Sequence, residues 1–299
     1  MRFSVIIPVY KREDKSRNCL QALITQDFPH SDFEIWVIED GSQTKIKEMV
    51  EGMRKDFPNF HYLWQENKGP ATARNLGIKQ SLGEILAFTD NDCVPPKDWL
   101  SRLDDGFKRH PEVAGVGGFQ EPPEEVIKNN LLARYESYLT RQVYGAASPS
   151  EIIGGFEVPT GVTNNVAFWR KTFDQLGLFD ESFTGRISGE DPDFKKRVCD
   201  SGGRLLFVPV KVVHNRDYAW KSFFKQSVER GFGVRHSQIK YGERYSDAAV
   251  ISQMILLPLS FVKDLLRLPS PALAGVRFME RWLVGWGQVR YASYIKNAR

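Results

Sequence analysis

Residues 84–92 read Glu84-Ile85-Leu86-Ala87-Phe88-Thr89-Asp90-Asn91-Asp92, a short apolar run that stops in two acids. A nearly continuous Ile, Leu and Phe segment of this length suits a strand buried on both faces. Upstream, Phe3–Pro8, Glu34–Ile38 and His61–Trp64 have the same character. Helix-length stretches separate them at about Asp14–Gln26, Thr44–Lys55 and Pro70–Gln80. The last opens on a proline, whose missing N–H would be unpaired at a helix start anyway. Repeated strand–helix–strand units predict an α/β, Rossmann-like fold: a mostly parallel sheet with right-handed crossovers, flanked by helices. Val113–Phe119, Asn164–Phe168, Arg204–Val208 and Lys211–His214 are further extended candidates. Val126–Arg141 is amphipathic, and Lys195–Ser201 reads as a helix stopped by Gly202-Gly203. From Trp220 onward the pattern is helical, so a sheet-bearing domain over 1–219 and a helical extension over 220–299 are expected.

Ligands of an open parallel sheet bind beyond the carboxyl ends of its strands. Here those ends carry Pro8-Val9-Tyr10, Glu39-Asp40-Gly41-Ser42 and Asp90-Asn91-Asp92. If the chain stays extended, Asp90 and Asp92 point to one side and can present oxygens to a single cation. Mg2+ and Mn2+ sites use one or two carboxylates, with phosphate oxygens and water completing the shell. The competing reading is an Asp-rich turn ahead of a helix beginning near Lys97.

Several function classes are excluded. No GxGxxG, GxxxxGK[ST], HExxH or GxSxG is present. Cys19, Cys93 and Cys199 are odd in number and far apart, which argues against a disulfide framework and for a reducing, cytoplasmic compartment. The run Phe3–Val9 contains Pro8 and precedes Lys11-Arg12-Glu13-Asp14, so it reads as a buried strand rather than a secretory leader. The formal charge of +4 is uneven. Residues 248–299 hold seven basic side chains (Lys263, Arg267, Arg277, Arg281, Arg290, Lys296, Arg299) against Asp264 and Glu280, which leaves −1 for residues 1–247. That distribution does not support nucleic acid as a partner. His30, His61, His110 and His236 have no motif context.

Taken together, several segments resemble the family 2 glycosyltransferases of GT-A fold. They are Ser4-Val5-Ile6-Ile7-Pro8-Val9-Tyr10, Val37-Ile38-Glu39-Asp40-Gly41-Ser42, Asn67-Lys68-Gly69-Pro70-Ala71-Thr72-Ala73-Arg74-Asn75 and Phe88-Thr89-Asp90-Asn91-Asp92. Leu178-Phe179-Asp180-Glu181-Ser182-Phe183 and Gly189-Glu190-Asp191 continue the match in order, so the resemblance covers roughly residues 3–215. It implies an inverting, Mn2+- or Mg2+-dependent transfer of a sugar from a nucleotide-sugar donor to a hydroxyl of a saccharide or lipid-linked saccharide, in glycan, polysaccharide or glycolipid biosynthesis.

The resemblance also implies residue roles. Pro8, Tyr10, Glu39 and Asp40 would line the nucleobase and ribose pocket, with Asp40 accepting from a pyrimidine N–H and making uridine the default base. Arg74 and Asn75 would lie near the diphosphate, with Asp90 and Asn91 beside the donor. Asp92 would bind the metal, with Asp90 shared between metal and ribose, and His214 would complete the shell. Asp191 matches the general base, as inversion requires a carboxylate at the acceptor hydroxyl opposite the leaving nucleotide. Asn164, Asn165 and Glu190 would line the acceptor side. Asp193 could share a face with Asp191, and the Glu190-Asp191 pair also suits the first turn of a helix.

Ala248–Val262 is apolar but interrupted by Pro258 and shorter than the roughly 20 residues of a spanning helix. With Trp282 and Trp286 among arginines, the tail fits either a helix pair lying on an anionic membrane, at the inner face of the cytoplasmic membrane, or a lid packed on the catalytic domain. Gln226 and Arg230 do not form the Gln-x-x-Arg-Trp motif of processive relatives, so single transfer is expected. A sugar-nucleotide nucleotidyltransferase would carry a glycine-rich basic loop after the first strand, where this chain has Val9-Tyr10-Lys11-Arg12. A non-catalytic sugar-binding module would have no need of Asp191.

Overall fold

In the computed structural model the described residues are 1–298 apart from 43, 144, 244 and 245. The chain runs β1 (Phe3–Val9), α1 (Glu13–Ile24), β2 (Phe33–Asp40), α2 (Ile46–Met53), β3 (Phe60–Gln65), α3 (Pro70–Gln80), β4 (Ile85–Phe88), β5 (Cys93–Val94), α4 (Trp99–Arg109) and β6 (Gly115–Glu121). It continues through α5 (Glu124–Asn129), α6 (Leu131–Tyr138), a π-helical turn (Leu139–Val143), β7 (Ile152–Gly154), β8 (Val166–Trp169), α7 (Arg170–Leu176), α8 (Glu190–Asp200) and β9 (Leu205–His214). Three long helices follow: α9 (Trp220–Lys240), α10 (Asp247–Arg267) and α11 (Pro271–Ala298).

The strands form one sheet in the order β3-β2-β1-β4-β8-β6-β9-β5, with β7 also on β9. The expected parallel half is present: β1 pairs in parallel with β2 and β4, and β2 with β3. The other half is mixed. β8 runs antiparallel to both β4 and β6, β5 and β7 run antiparallel to β9, and only β6–β9 is parallel. The sheet is therefore less parallel than the sequence predicts, because β8 enters between β4 and β6 from the opposite direction.

Side-chain alternation along β1 explains why the run is apolar throughout. Phe3, Val5, Ile7 and Val9 enter one core with α1, α2 and α4, while Ile6 enters the other with α3, α7 and α8. β9 is a single strand where two were expected, with its pairing to β6 shifted between Gly117 and Phe119. α8 begins at Glu190, five residues ahead of the expected Lys195, with Glu190, Asp191 and Asp193 all in its first turn. Acids there are stabilised by the helix dipole, a propensity that apolar periodicity does not register.

The chain divides into two units: one of residues 1–123, 138–181 and 190–216, the other of 124–137, 182–189 and 217–299. The sequence predicts one division, at 219/220; in the structure the segments 124–137 and 182–189 group with 217–299. Tyr135 donates to Glu280 at 2.6 Å, and the Asn130 amide donates to the Tyr218 carbonyl at 2.9 Å. Phe183 and Ile187 pack with Phe232 and Tyr291. Within this unit Arg230 pairs with Glu280, and His236 bridges Ser182 and Tyr291.

Candidate active site

The first unit gathers acids at the end of β2, just past β4 and at the start of α8, with Arg12 following β1. Asp90 and Asp92 follow β4, but the chain turns there: the Cys93 N–H donates to the Asp90 carbonyl at 3.0 Å. The extended-chain expectation therefore fails, and the two carboxylates take different partners. Asp90 Oδ1 accepts from Arg74 at 2.8 Å, whereas Asp92 pairs with Arg12 through Oδ2 and with His214 Nε2 at 3.4 Å through Oδ1.

His214 is delivered by tertiary pairing. β5 lies antiparallel to the end of β9 with Cys93 opposite His214, and the Asn215 N–H donates to the Asp92 carbonyl at 2.7 Å. Ligand atoms of Asp92, Cys93 and His214 lie within 4.8 Å of one another. Burial and the neighbouring Asp90 and Asp92 push the Cys93 thiol well up. Burial alone would raise Asp92, but the His214 hydrogen bond and charge, with Arg12, outweigh it and hold the carboxyl at about 2. An ionised carboxylate beside an imidazole fits a divalent cation, and the nitrogen donor suits Mn2+ better than Mg2+.

Arg74 lies between two carboxylates. It is 3% exposed and donates to Asp90 at 2.8 Å and to Glu190 Oε1 at 2.7 Å. Its Nε has no partner among the described residues. Glu190 is thus committed to Arg74, away from the acceptor contact expected of it. Asp191, next along, accepts from the Thr163 N–H at 3.4 Å. Burial raises its carboxyl to about 7, Glu190 and Asp90 adding to the rise and Arg74 opposing it. A carboxylate titrating near neutrality has the affinity a general base needs. Asp193 does not share this role, since Arg197 holds it at 3.1 Å inside the helix.

Several expected contacts are redirected into the scaffold. Asn75 exchanges hydrogen bonds with the Phe179 backbone at 2.9 and 3.0 Å and donates to Glu181, which consumes its amide. Asn165 donates to the Phe119 and Val210 carbonyls and accepts from Trp99 Nε1 at 2.8 Å, so it locks β6, β8 and β9 instead of meeting an acceptor. Asn164 differs, because its Oδ1 is buried without a partner among the described residues. Asn91 donates to the Lys11 carbonyl and Ser16 Oγ, and so holds down the β1–α1 connection.

On the nucleobase side, Val9 sits beside Glu39 in the β1–β2 ladder. Glu39 accepts from Ser42 and Tyr62 at 2.8 and 2.6 Å and is 1% exposed. Asp40, expected to face a pyrimidine, instead accepts from Gln65, the Lys68 N–H and the Gly69 N–H at 2.7 to 2.9 Å. It shapes the turn into α3, where Gly69 takes φ 96°, a conformation open to glycine. Pro8 is half-buried and Tyr10 is exposed.

Sequence reasoning missed Arg12. Lys11 and Arg12 take φ of 60° and 61°, and among the described residues they alone of the non-glycines have positive φ. Such conformations cost energy and cluster at functional sites. The sequence offered only a basic pair after the first strand.

This strand order, with its acids gathered past the strand ends, defines the GT-A class of fold. Mannosyltransferase PcManGT from Pyrobaculum calidifontis, solved with GDP-Man and Mn2+, superposes with TM-score 0.67 at 18% identity over 97% of this chain and 87% of its own. TarS 1-349 of S. aureus, solved with UDP-GlcNAc, gives 0.53 at 17% over 98% and 92%. The family model for glycosyl transferase family 2 matches residues 4–176, and the chain belongs to that family. Glycosyltransferase AglE of Haloferax volcanii is 30% identical over 68% of this chain, which spans 63% of that relative. Glucosyl-dolichyl phosphate glucuronosyltransferase of the same organism is 23% identical over 97% of this chain and 96% of its own length.

Proposed function

We propose that the protein is an inverting, metal-dependent glycosyltransferase. It moves one sugar from a nucleotide-sugar donor to a hydroxyl of a saccharide or lipid-linked acceptor. The observation that carries this reading is that the acids of the site fall into two sets with different partners. One is an ionised Asp92 with His214; the other is Asp191, whose carboxyl is raised into the range of a base and which sits beside the Arg74–Glu190 pair. A base distinct from the group that meets the leaving diphosphate is the division of labour an inverting displacement needs.

Asp191 takes the proton of the acceptor hydroxyl as that oxygen attacks the anomeric carbon. Arg74 keeps three neighbouring carboxylates compatible and lowers Asp191 enough for it to ionise near neutrality. Asp92 and His214 would hold a divalent cation, which when bound offsets the charge on the departing diphosphate. Mn2+ is preferred over Mg2+ because of the imidazole. Relatives solved with GDP-Man and with UDP-GlcNAc support a nucleoside diphosphate sugar. Uridine was expected from Asp40, but the commitment of that carboxylate to residues 65–69 removes the specific argument for it, so both bases belong in the test. Dolichyl-phosphate relatives support a lipid-linked acceptor in glycan biosynthesis.

The test is nucleotide release from a panel of UDP- and GDP-sugars with Mn2+, with and without chelator. Chelator-sensitive release from one donor is expected. No release from any donor, with any saccharide or lipid-phosphate acceptor, would sink the reading.

A further inference from the structure

We propose that the outward face of α10 docks on an anionic lipid bilayer, with the helix lying along the surface rather than crossing it. The sequence suggests a run broken at Pro258. The structure instead carries one helix through that proline for 21 residues, long and apolar enough by length and composition to span a membrane. Its two sides differ sharply. The inner side packs on α11: Phe261 meets Phe278 edge-on at 5.5 Å, and Arg281 reaches Ser260 Oγ and Asp264 at 3.2 and 3.1 Å. Arg277 lies 3.6 Å from the same carboxylate.

The outer side carries Ile251, Ile255, Leu259, Val262 and Leu266, a helical stripe of aliphatic side chains. Leu259 is 71% exposed and Leu266 85%. The stripe runs about 22 Å at 1.5 Å per residue. Water-exposed apolar surface of this extent marks an interaction site.

Charge selects the occupant. Of the acids on α10 and α11, Asp247 is paired with Arg235 at the start of α10, Asp264 is held by Arg277 and Arg281, and Glu280 by Tyr135 and Arg230. The exposed charges that remain on α10 beside the stripe are Lys263 and Arg267, and on α11 Arg290 and Lys296. That cationic setting repels a second copy of the chain and attracts anionic headgroups. α11 also presents Trp282 and Trp286, stacked at 5.8 Å with Arg290 over the second ring, and indoles favour the headgroup level. A spanning arrangement would carry Asp264 and its two arginines into hydrocarbon, at a cost the surface arrangement avoids.

The proposal rests on the glycosyltransferase reading only in that a lipid-linked acceptor would share this surface; binding itself needs no turnover. The full chain is floated with vesicles of phosphatidylcholine alone and of phosphatidylcholine with phosphatidylglycerol, at low and high salt. Binding at least about tenfold stronger to the anionic vesicles, weakened by salt, is expected. Leu259→Glu with Leu266→Glu should reduce it at least about tenfold. Both positions are exposed, so nucleotide affinity should be unchanged. Lys263→Glu with Arg267→Glu should abolish the preference for anionic lipid. No flotation, or variants that float like the parent, would overturn the proposal. So would flotation that survives alkaline extraction, which means spanning, or self-association in sedimentation velocity without vesicle binding. Nucleotide release from the same preparations separates the two ideas, since either can fail while the other stands.

Discussion

Replacing Arg74 by methionine, which keeps most of the volume and removes the charge, tests how the site holds its carboxylates. In the folded protein this guanidinium is 3% exposed and satisfies Asp90 and Glu190 at 2.8 and 2.7 Å. Removing one partner of a buried ion pair costs about 3–5 kcal/mol, because the orphaned charge stays desolvated. The Asp90 side chain is 31% exposed, which places the expected loss at the lower end, about 3 kcal/mol. The same cation opposes the rise of Asp191, whose carboxyl is at about 7. Losing an adjacent opposite charge raises a carboxyl by about one unit or more. The acid limb of kcat/KM should therefore move from about 7 toward about 8, and at pH 7 the ionised fraction of the base should fall about fivefold. The assays are denaturant unfolding and a pH profile of kcat/KM at saturating Mn2+. Arg74→Lys, which restores charge without the two-pronged geometry, should recover the limb better than the stability. An Arg74→Met protein with unchanged stability and an unmoved limb would refute the reasoning.

Asp191→Asn should abolish transfer, measured as product formation, while Mn2+-dependent nucleotide binding by calorimetry stays within about twofold, as a base acting only in the displacement requires. Because Asp191 is raised in the folded state, it favours folding in its protonated form; that contribution is complete below the unfolded carboxyl range and is lost as pH rises through about 7. The wild-type protein should thus lose some stability between about pH 4 and about pH 7, and Asp191→Asn should flatten that part of a melting-versus-pH curve. Arg12→Ala should tighten Mn2+ binding in the absence of nucleotide, read by electron paramagnetic resonance, since the guanidinium competes for Asp92; weaker binding would show that Arg12 organises the site instead. Asn165→Ala should cost roughly 2–4 kcal/mol in unfolding free energy, because Trp99 and two backbone carbonyls lose their buried partner.

The sequence by itself determined the local order. Runs such as Phe3–Val9 and Ile85–Phe88 had to be strands buried on both faces, and Pro70 had to open a helix, because periodicity and backbone chemistry are properties of neighbouring residues. The motif order that resembles a sugar-transfer family was legible for the same reason, and the family model agrees over residues 4–176. Which acid meets which cation was not legible. Arg74 reaches Glu190 across 116 positions, Arg12 reaches Asp92 across 80, and His214 arrives beside Asp92 only because β5 pairs with β9. The tertiary structure also took Asn75, Asn165 and Asp40 out of the roles their motifs suggest, by giving each a set of buried partners. A buried polar group must be satisfied by whatever the fold brings near it, and that demand outranks the pattern in which the residue is written.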